Sequence, residues 1–263
     1  MKRINVINVI RMLVGSVLLC AGVCSCSHTR CGVEYIAHAG GCIDGYLYTN
    51  SLEAVQQSLT FGVRNIELDL CLTNDNQIVA AHDWGYYNYL TGYGSDDTIA
   101  LSLTEFQQRR ICGKYTPITQ VKIDSLMEKN PQMYLVTDKI SSPELLARFR
   151  FRERIIVECF SLEDYYLLDT MGFYKTFYSA CPRTYRKAFK KWIKYAIGMS
   201  NEKVPRRYVF RDLAAYAEYG MGGYGDKFGA EFAVFDIPNR RAADSLATID
   251  NRIRYVYIDD TSN

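Results

Sequence analysis

The chain has 263 residues, a length that suits one large α/β domain of about 250 residues or two small ones. Hydrophobic residues make up 48%, ample for a core, and the net charge of +2 gives no bulk electrostatic case for binding nucleic acid.

The N-terminus reads as an export signal. Lys2, Arg3 and Arg11 make its start positive, and Met12 to Cys26 is apolar or small throughout. The run is too short and too rich in Cys and Gly to read as a spanning helix. It ends Val23-Cys24-Ser25-Cys26, which resembles a bacterial lipoprotein cleavage box. Residues 1–26 are therefore expected outside the fold, with a lipidated Cys26 tethering the chain to a membrane surface of a bacterial cell envelope. Residues 27–32 would be the linker, and residues 33–263 a single domain. Of the nine cysteines, six lie beyond this segment and show no CxxC or other metal spacing. Mostly free thiols are expected, with Cys31 and Cys42 the one pair to test.

Val33 to Ala37 reads as a strand that stops at His38-Ala39-Gly40-Gly41. That places His38 at a strand's carboxyl end, with glycine backbone free to approach a ligand. Ser51 to Phe61 is helical: Leu52, Val55 and Leu59 recur at helical spacing and Ser51 caps. Asn65 to Leu72 reads as one strand. Glu67 and Asp69 leave the same face, and Ile66, Leu68 and Leu70 the other. Two carboxylates on one face repel unless a proton or cation sits between them, and hard divalent ions want such oxygens. Asn74-Asp75-Asn76 turns the chain, and Gln77 to Ala81 delivers His82 at a second strand end.

At these residues the chain resembles the glycerophosphodiester phosphodiesterases and their phosphatidylinositol phospholipase C-like bacterial relatives. The family pattern is His-Arg-Gly, Glu-Asn-Thr opening a helix, Glu-x-Asp with Thr-x-Asp, and a closing His-Asp. The matches are His38 and Gly40, Asn50, Glu67-Leu68-Asp69, Thr73-Asn74-Asp75 and His82-Asp83. Two positions depart: Ala39 stands where the family has a phosphate-gripping arginine, and Thr49 where it has the helix-opening Glu.

After His82 the sequence predicts an aromatic loop: Trp84, Tyr86, Tyr87, Tyr89 and Tyr93, interrupted by Gly85, Gly92 and Gly94. Its rings would stack on a sugar or line an apolar entrance, Trp84 foremost, or else simply pack as a surface loop. Leu103 to Ile111 and Thr119 to Lys129 read as helices. Strand and helix then alternate: strands at Gln132–Thr137, Arg154–Cys159, Lys175–Ala180, Lys194–Met199, Glu231–Ile237 and Arg254–Asp259. The helices between them are Ser142–Phe151, Ser161–Met171, Pro182–Trp192, Arg207–Tyr219 and Asn239–Ile249. With the two earlier strands this makes eight units and predicts a (β/α)8 TIM barrel, whose active site sits at the carboxyl ends of the strands. The basic face Arg183, Arg186, Lys187, Lys190, Lys191, Lys194 suits either an anionic membrane surface or a solvated barrel helix.

The resemblance implies a third metal ligand two residues before a lysine at the end of the third barrel strand. Lys139 matches the lysine and Thr137 the ligand position. Asp138 is adjacent and is the expected ligand, a bulge turning it inward. Glu158 is the alternative. The reading is a metal-assisted phosphodiester hydrolase acting on glycerophosphodiesters or related lipid head-group diesters. Glu67, Asp69 and Asp138 would hold one divalent cation, Ca2+ or Mg2+. His38 and His82 would be the acid/base pair, and Lys139 would neutralise phosphate charge. Two alternatives stay open: a metal-independent phospholipase C of the inositol type, and a non-catalytic binding barrel.

Overall fold

Alternate residues of successive strands pack into a single buried cluster: Ile36, Val136, Ile156, Phe177, Val209, Ala233, Tyr255 and Tyr257. They come from seven strands of a closed, all-parallel barrel and fill its interior. The computed structural model describes residues 32–94, 98–179, 207–210, 213, 216 and 231–262. Its barrel strands are β1 (Glu34–Ala37), β2 (Asn65–Glu67), β5 (Tyr134–Thr137), β6 (Ile155–Cys159), β7 (Lys175–Ser179), β8 (Arg207–Phe210), β9 (Glu231–Asn239) and β10 (Ile253–Asp260). Around the barrel they run β1-β10-β9-β8-β7-β6-β5-β2. The other strand faces carry Ala37, Ile66, Leu135, Val157 and Cys159, packed against residues of the surrounding helices such as Val55, Ile123 and Leu168. Val33–Asn263 forms one compact unit. Among the described residues no helix is long and apolar enough to cross a membrane.

The expected strand Asn65 to Leu72 is broken in two. β2 ends at Glu67, and Leu70–Leu72 (β3) leaves the barrel to pair antiparallel with Ile78–Ala80 (β4). The break has a local cause. Leu68 N–H still donates to Val136 O at 3.0 Å, but Asp69 N–H goes to the side chain of Asn50, also at 3.0 Å. A barrel hydrogen bond is replaced by a side-chain one, and the ladder stops.

The aromatic run after His82 is a helix, Trp84–Leu90, and not a loop. Asp83 caps it, its Oδ1 accepting from Tyr86 N–H at 2.7 Å. Tyr87 stacks on Phe106 with centroids 4.6 Å apart, anchoring this helix in a small satellite core with Val79, Ala81 and Ile111. The tertiary contact outweighs the weak helix propensity of aromatics and Gly85.

The sixth barrel strand is Arg207–Phe210, where a helix was expected. Its residues alternate: Val209 joins the barrel interior, while Tyr208 and Phe210 pack outward with Tyr216 and Phe232. The strand predicted at 194–199 and the helix at 182–192, with its basic face, lie outside the described residues, as do Cys26 and Cys31. The expected helix Ser142–Phe151 is confined to Pro143–Leu146. Cys42, Cys71, Cys112 and Cys159 carry free thiols.

Candidate active site

The site is the next layer of the same barrel. Two residues beyond each interior side chain, on the same strand face, stand His38 (after Ile36), Asp138 (after Val136), Glu158 (after Ile156), Ser179 (after Phe177) and Phe235 (after Ala233). All five line one cavity of about 450 Å³ at the strands' carboxyl ends, with Tyr48, Asp69, His82, Tyr86, Lys139 and Asp236. Asp259 takes the same step beyond Tyr257 and binds His38.

Asp138 therefore faces inward by ordinary alternation. β5 and β6 pair without a register shift, Val136 opposite Ile156 and Thr137 opposite Val157. No bulge is needed. Thr137, the position matched to the family's ligand, lies on the outward face, where its buried Oγ1 has no hydrogen-bond partner.

Glu67, Asp69 and Asp138 bring one carboxylate oxygen each within 4.8 Å of one another. Glu67 and Asp69 are buried. Burial first, then the charges of Asp69 and Asp138, pushes the Glu67 carboxyl well above the usual carboxylate range. Three hard oxygens crowded with little solvent are a donor set that fits a divalent cation. Glu158 lies outside this cluster: it lines the cavity and accepts from the Tyr257 hydroxyl.

Local backbone holds the carboxylates in place. Ala39 adopts φ 48°, and its N–H donates to Glu67 Oε2 at 2.6 Å. The turn closes with Gly41 N–H on His38 O at 2.8 Å. A Cβ at Gly41 would stand 2.4 Å from Ser58 Oγ, and its φ of 96° suits only glycine. Asn50, at φ 50°, reaches Asp69 twice: Nδ2 donates to Oδ2 and Oδ1 accepts from the Asp69 N–H, each at 3.0 Å. Asn tolerates this left-handed backbone better than most residues.

His38 and His82 reach the cavity from different elements. His38 follows β1, its Nδ1 3.1 Å from Asp259 Oδ1. His82 follows β4, which is tied to the cluster by Ala81 N–H donating to Asp69 O at 2.9 Å. Its Nδ1 lies 2.6 Å from Asp83 Oδ2, and its Nε2 3.4 Å from Lys139 Nζ. Lys139 also lies 3.5 Å from Asp69 Oδ1. Burial raises the Asp83 carboxyl, but the Tyr86 N–H, His82 and Lys139 outweigh it and hold it below its ordinary value.

The fold thus gathers His38, His82, Asp69, Asp138 and Lys139 around the cavity, with Glu67 in the carboxylate cluster. Trp84 is not among the lining residues. Its Nε1 donates to Leu72 O at 3.2 Å and its ring packs on Tyr87 and Phe106, so Tyr86 lines the cavity in its place. Sequence reasoning missed Asp259, Tyr48, Ser179, Phe235 and Asp236. The two-residue step from the barrel interior was the signal that points to Asp259, Ser179 and Phe235.

The model of the Glycerophosphoryl diester phosphodiesterase family matches residues 41–151, the stretch that holds Glu67, Asp69, His82, Asp138 and Lys139. The match covers less than half of the chain, and over that stretch the chain is similar to the family. No curated protein sequence matches it. Solved structures of the family share its fold at low identity. A glycerophosphodiester phosphodiesterase from Thermotoga maritima is 20% identical with a TM-score of 0.64, covering 88% of this chain and 96% of that one. One from Parabacteroides distasonis is 16% identical with a TM-score of 0.62, over 89% and 85%. An Oleispira antarctica phosphodiesterase, in complex with the product sn-glycerol-3-phosphate, is 16% identical with a TM-score of 0.61, over 88% and 94%.

Proposed function

We propose that this phosphoric diester hydrolase is a divalent-cation-dependent glycerophosphodiester phosphodiesterase, with His38 and His82 as its acid/base pair. The observation that carries the reading is the single cavity that both imidazoles line together with Lys139, Asp69 and Asp138, the two carboxylates that cluster with Glu67. The match of residues 41–151 to the family model and the product held by the Oleispira antarctica phosphodiesterase support the substrate class.

Breaking a phosphodiester needs three things: charge neutralisation on the phosphoryl oxygens, removal of a proton from the attacking oxygen, and return of one to the leaving alkoxide. Glu67, Asp69 and Asp138 would hold the cation, Ca2+ or Mg2+, which when bound supplies Lewis-acid polarisation of a phosphoryl oxygen. Lys139 adds a charge-assisted contact to the phosphate. Each imidazole has its Nδ1 engaged by a carboxylate, Asp259 for His38 and Asp83 for His82; this turns both Nε2 atoms to proton transfer, that of His82 beside Lys139 Nζ at 3.4 Å, which the substrate phosphate would draw away. One takes the proton from the attacking water or a neighbouring substrate hydroxyl, and the other protonates the leaving oxygen. Histidine suits both tasks because its pKa lies near working pH.

The test is hydrolysis of bis(p-nitrophenyl) phosphate, then of a glycerophosphodiester, with chelator and with added Ca2+ or Mg2+. Turnover that needs the metal is expected. Chelator-insensitive turnover would move the protein to the metal-independent phospholipase C class, and no turnover of either substrate would make it a binding barrel. Tethering through a diacylated Cys26 in the cell envelope is proposed on the basic start, the apolar run and Ser25-Cys26 alone. Mass spectrometry of the mature N-terminus tests it, and an unmodified start elsewhere would refute it.

A further inference from the structure

The last barrel strand ends in two adjacent acids that are used differently. Asp260 turns to the chain end: its Oδ1 accepts from Ser262 N–H at 2.9 Å and from Ser262 Oγ at 2.6 Å. Asp259 faces the barrel mouth, its Oδ1 3.1 Å from His38 Nδ1 across 221 residues of sequence. Its own backbone is pinned, Cys42 N–H donating to Asp259 O at 2.8 Å. Both partners are largely shielded, with side-chain exposures of 18% for His38 and 19% for Asp259.

The imidazole is also fixed on its other sides. Tyr48, Phe235 and Tyr257 meet it edge to face, with centroids 4.8, 5.2 and 6.2 Å away and interplanar angles of 68°, 79° and 83°. Phe235 and Tyr257 are themselves stacked at 3.6 Å. A ring so enclosed has little freedom to flip, and edge-to-face aromatic neighbours favour one orientation. A carboxylate accepts hydrogen bonds and donates none when ionised, so its contact requires a proton on Nδ1.

We propose that Asp259 is a positioning residue for the phosphodiesterase reaction: with the ring box of Tyr48, Phe235 and Tyr257 it holds His38 as the Nδ1–H tautomer with Nε2 turned to the cavity. This rests on the hydrolase reading above. In the reaction Nε2 takes a proton from the attacking oxygen or gives one to the leaving oxygen. The Nδ1 proton stays on the ring throughout. When Nε2 is protonated, the imidazolium formed is stabilised by the Asp259 carboxylate. The sequence resemblance takes in the last strand but gives Asp259 no role, and its distance along the chain hides the pairing.

Two measurements on the full chain test this. The chain has three histidines, His28, His38 and His82, so ¹⁵N-labelled histidine gives a spectrum that His38→Gln and His82→Gln assign. His38 should show the Nδ1–H tautomer in the wild type and lose it in Asp259→Ala and in Asp259→Asn, which keeps the size of the side chain. In kinetics with bis(p-nitrophenyl) phosphate, Asp259→Asn should lower kcat by about 10²-fold or more with KM within about twofold, as expected when a triad-type carboxylate is lost. Combined with His38→Ala, Asp259→Asn should cost nothing further, because its effect runs through that ring. An Nε2–H tautomer in the wild type, unchanged kcat in Asp259→Asn, or additive losses in the double variant would overturn the proposal. Wild-type inactivity with the Nδ1–H tautomer present would instead sink the hydrolase reading, and the catalytic half of this proposal with it.

Discussion

The backbone N–H of Ala39 points at Oε2 of Glu67, 2.6 Å away, from a residue held at φ 48°. One amide proton is small compensation for a buried carboxylate beside Asp69 and Asp138, and Glu67 is pushed well above its ordinary 4.5. Its pKa is raised on folding, so the folded chain holds the proton more tightly than the unfolded chain. That contribution is full below about pH 4.5 and is lost as pH rises from there through the raised folded value. Metal-free protein should therefore lose melting temperature across that window. Added Ca2+ or Mg2+ should restore it, most at the high end, because the cation takes the proton's place. Glu67→Gln should flatten the pH dependence and abolish the metal response. A metal-free Tm that rises through the window, read by differential scanning fluorimetry, would contradict this account.

On the proposed reading the third ligand is Asp138, which clusters with Glu67 and Asp69, and not Glu158, which is engaged by the Tyr257 hydroxyl. Asp138→Asn should weaken Ca2+ or Mg2+ binding by more than ~10-fold, with partial recovery of turnover at high cation concentration. Asp69→Asn should behave alike. Glu158→Gln should change metal affinity little. Calorimetric titration decides, and an Asp138→Asn variant that binds as tightly as wild type would remove it from the ligand set.

Much of this was legible because β-strands alternate. Leu68 N–H still bonds Val136 O, so the alternation carries past the end of β2 and Glu67 and Asp69 stay together. His38 was legible because glycines end its strand. Asp138 was assigned the wrong facing, since matching Lys139 to the family shifted the strand by one. Only the packing of Val136 with Ile36 and Ile156 reveals the true phase. β8 was hidden because Arg207–Phe210 is too short for periodicity to outweigh the helical spacing of Leu213 and Tyr216 beyond it. The helix Trp84–Leu90 forms because Phe106, 19 residues downstream of Tyr87, stacks on it, a contact no local pattern contains.

The imidazoles should be separable from binding. A positioned proton carrier contributes typically ~10²–10⁴-fold to rate. His38→Ala and His82→Ala should each lower kcat on that scale with modest change in KM, and neither should alter metal affinity as Asp69→Asn does. Steady-state kinetics at saturating metal checks this. Near-normal turnover in either variant would end the acid/base assignment.

Lys139 touches both halves of the machinery, and its loss should move them in opposite directions. Its Nζ lies 3.5 Å from Asp69 Oδ1 and 3.4 Å from His82 Nε2. An ammonium has three donors and no acceptor, so Nε2 of His82 must offer its lone pair and the ring proton sits on Nδ1, toward Asp83. Toward Asp69, Lys139 competes with the divalent cation for the same carboxylate. Lys139→Met removes that competitor, and metal should bind a few-fold more tightly. On the proposed reading the same change also removes a charged donor to the substrate phosphate, a contact of about 1.5–3 kcal/mol. That loss should lower kcat/KM by roughly 10–150-fold, at 1.4 kcal/mol per factor of ten. Lys139→Arg keeps the charge, but its fixed fork replaces a point charge on a flexible stem, so recovery should be partial. Calorimetry for the metal and kinetics for the diester, on the same preparation, give both readouts. Weaker metal binding in Lys139→Met would show that Lys139 supports the carboxylates rather than competing for them, and an unchanged kcat/KM would exclude its contact with the phosphate.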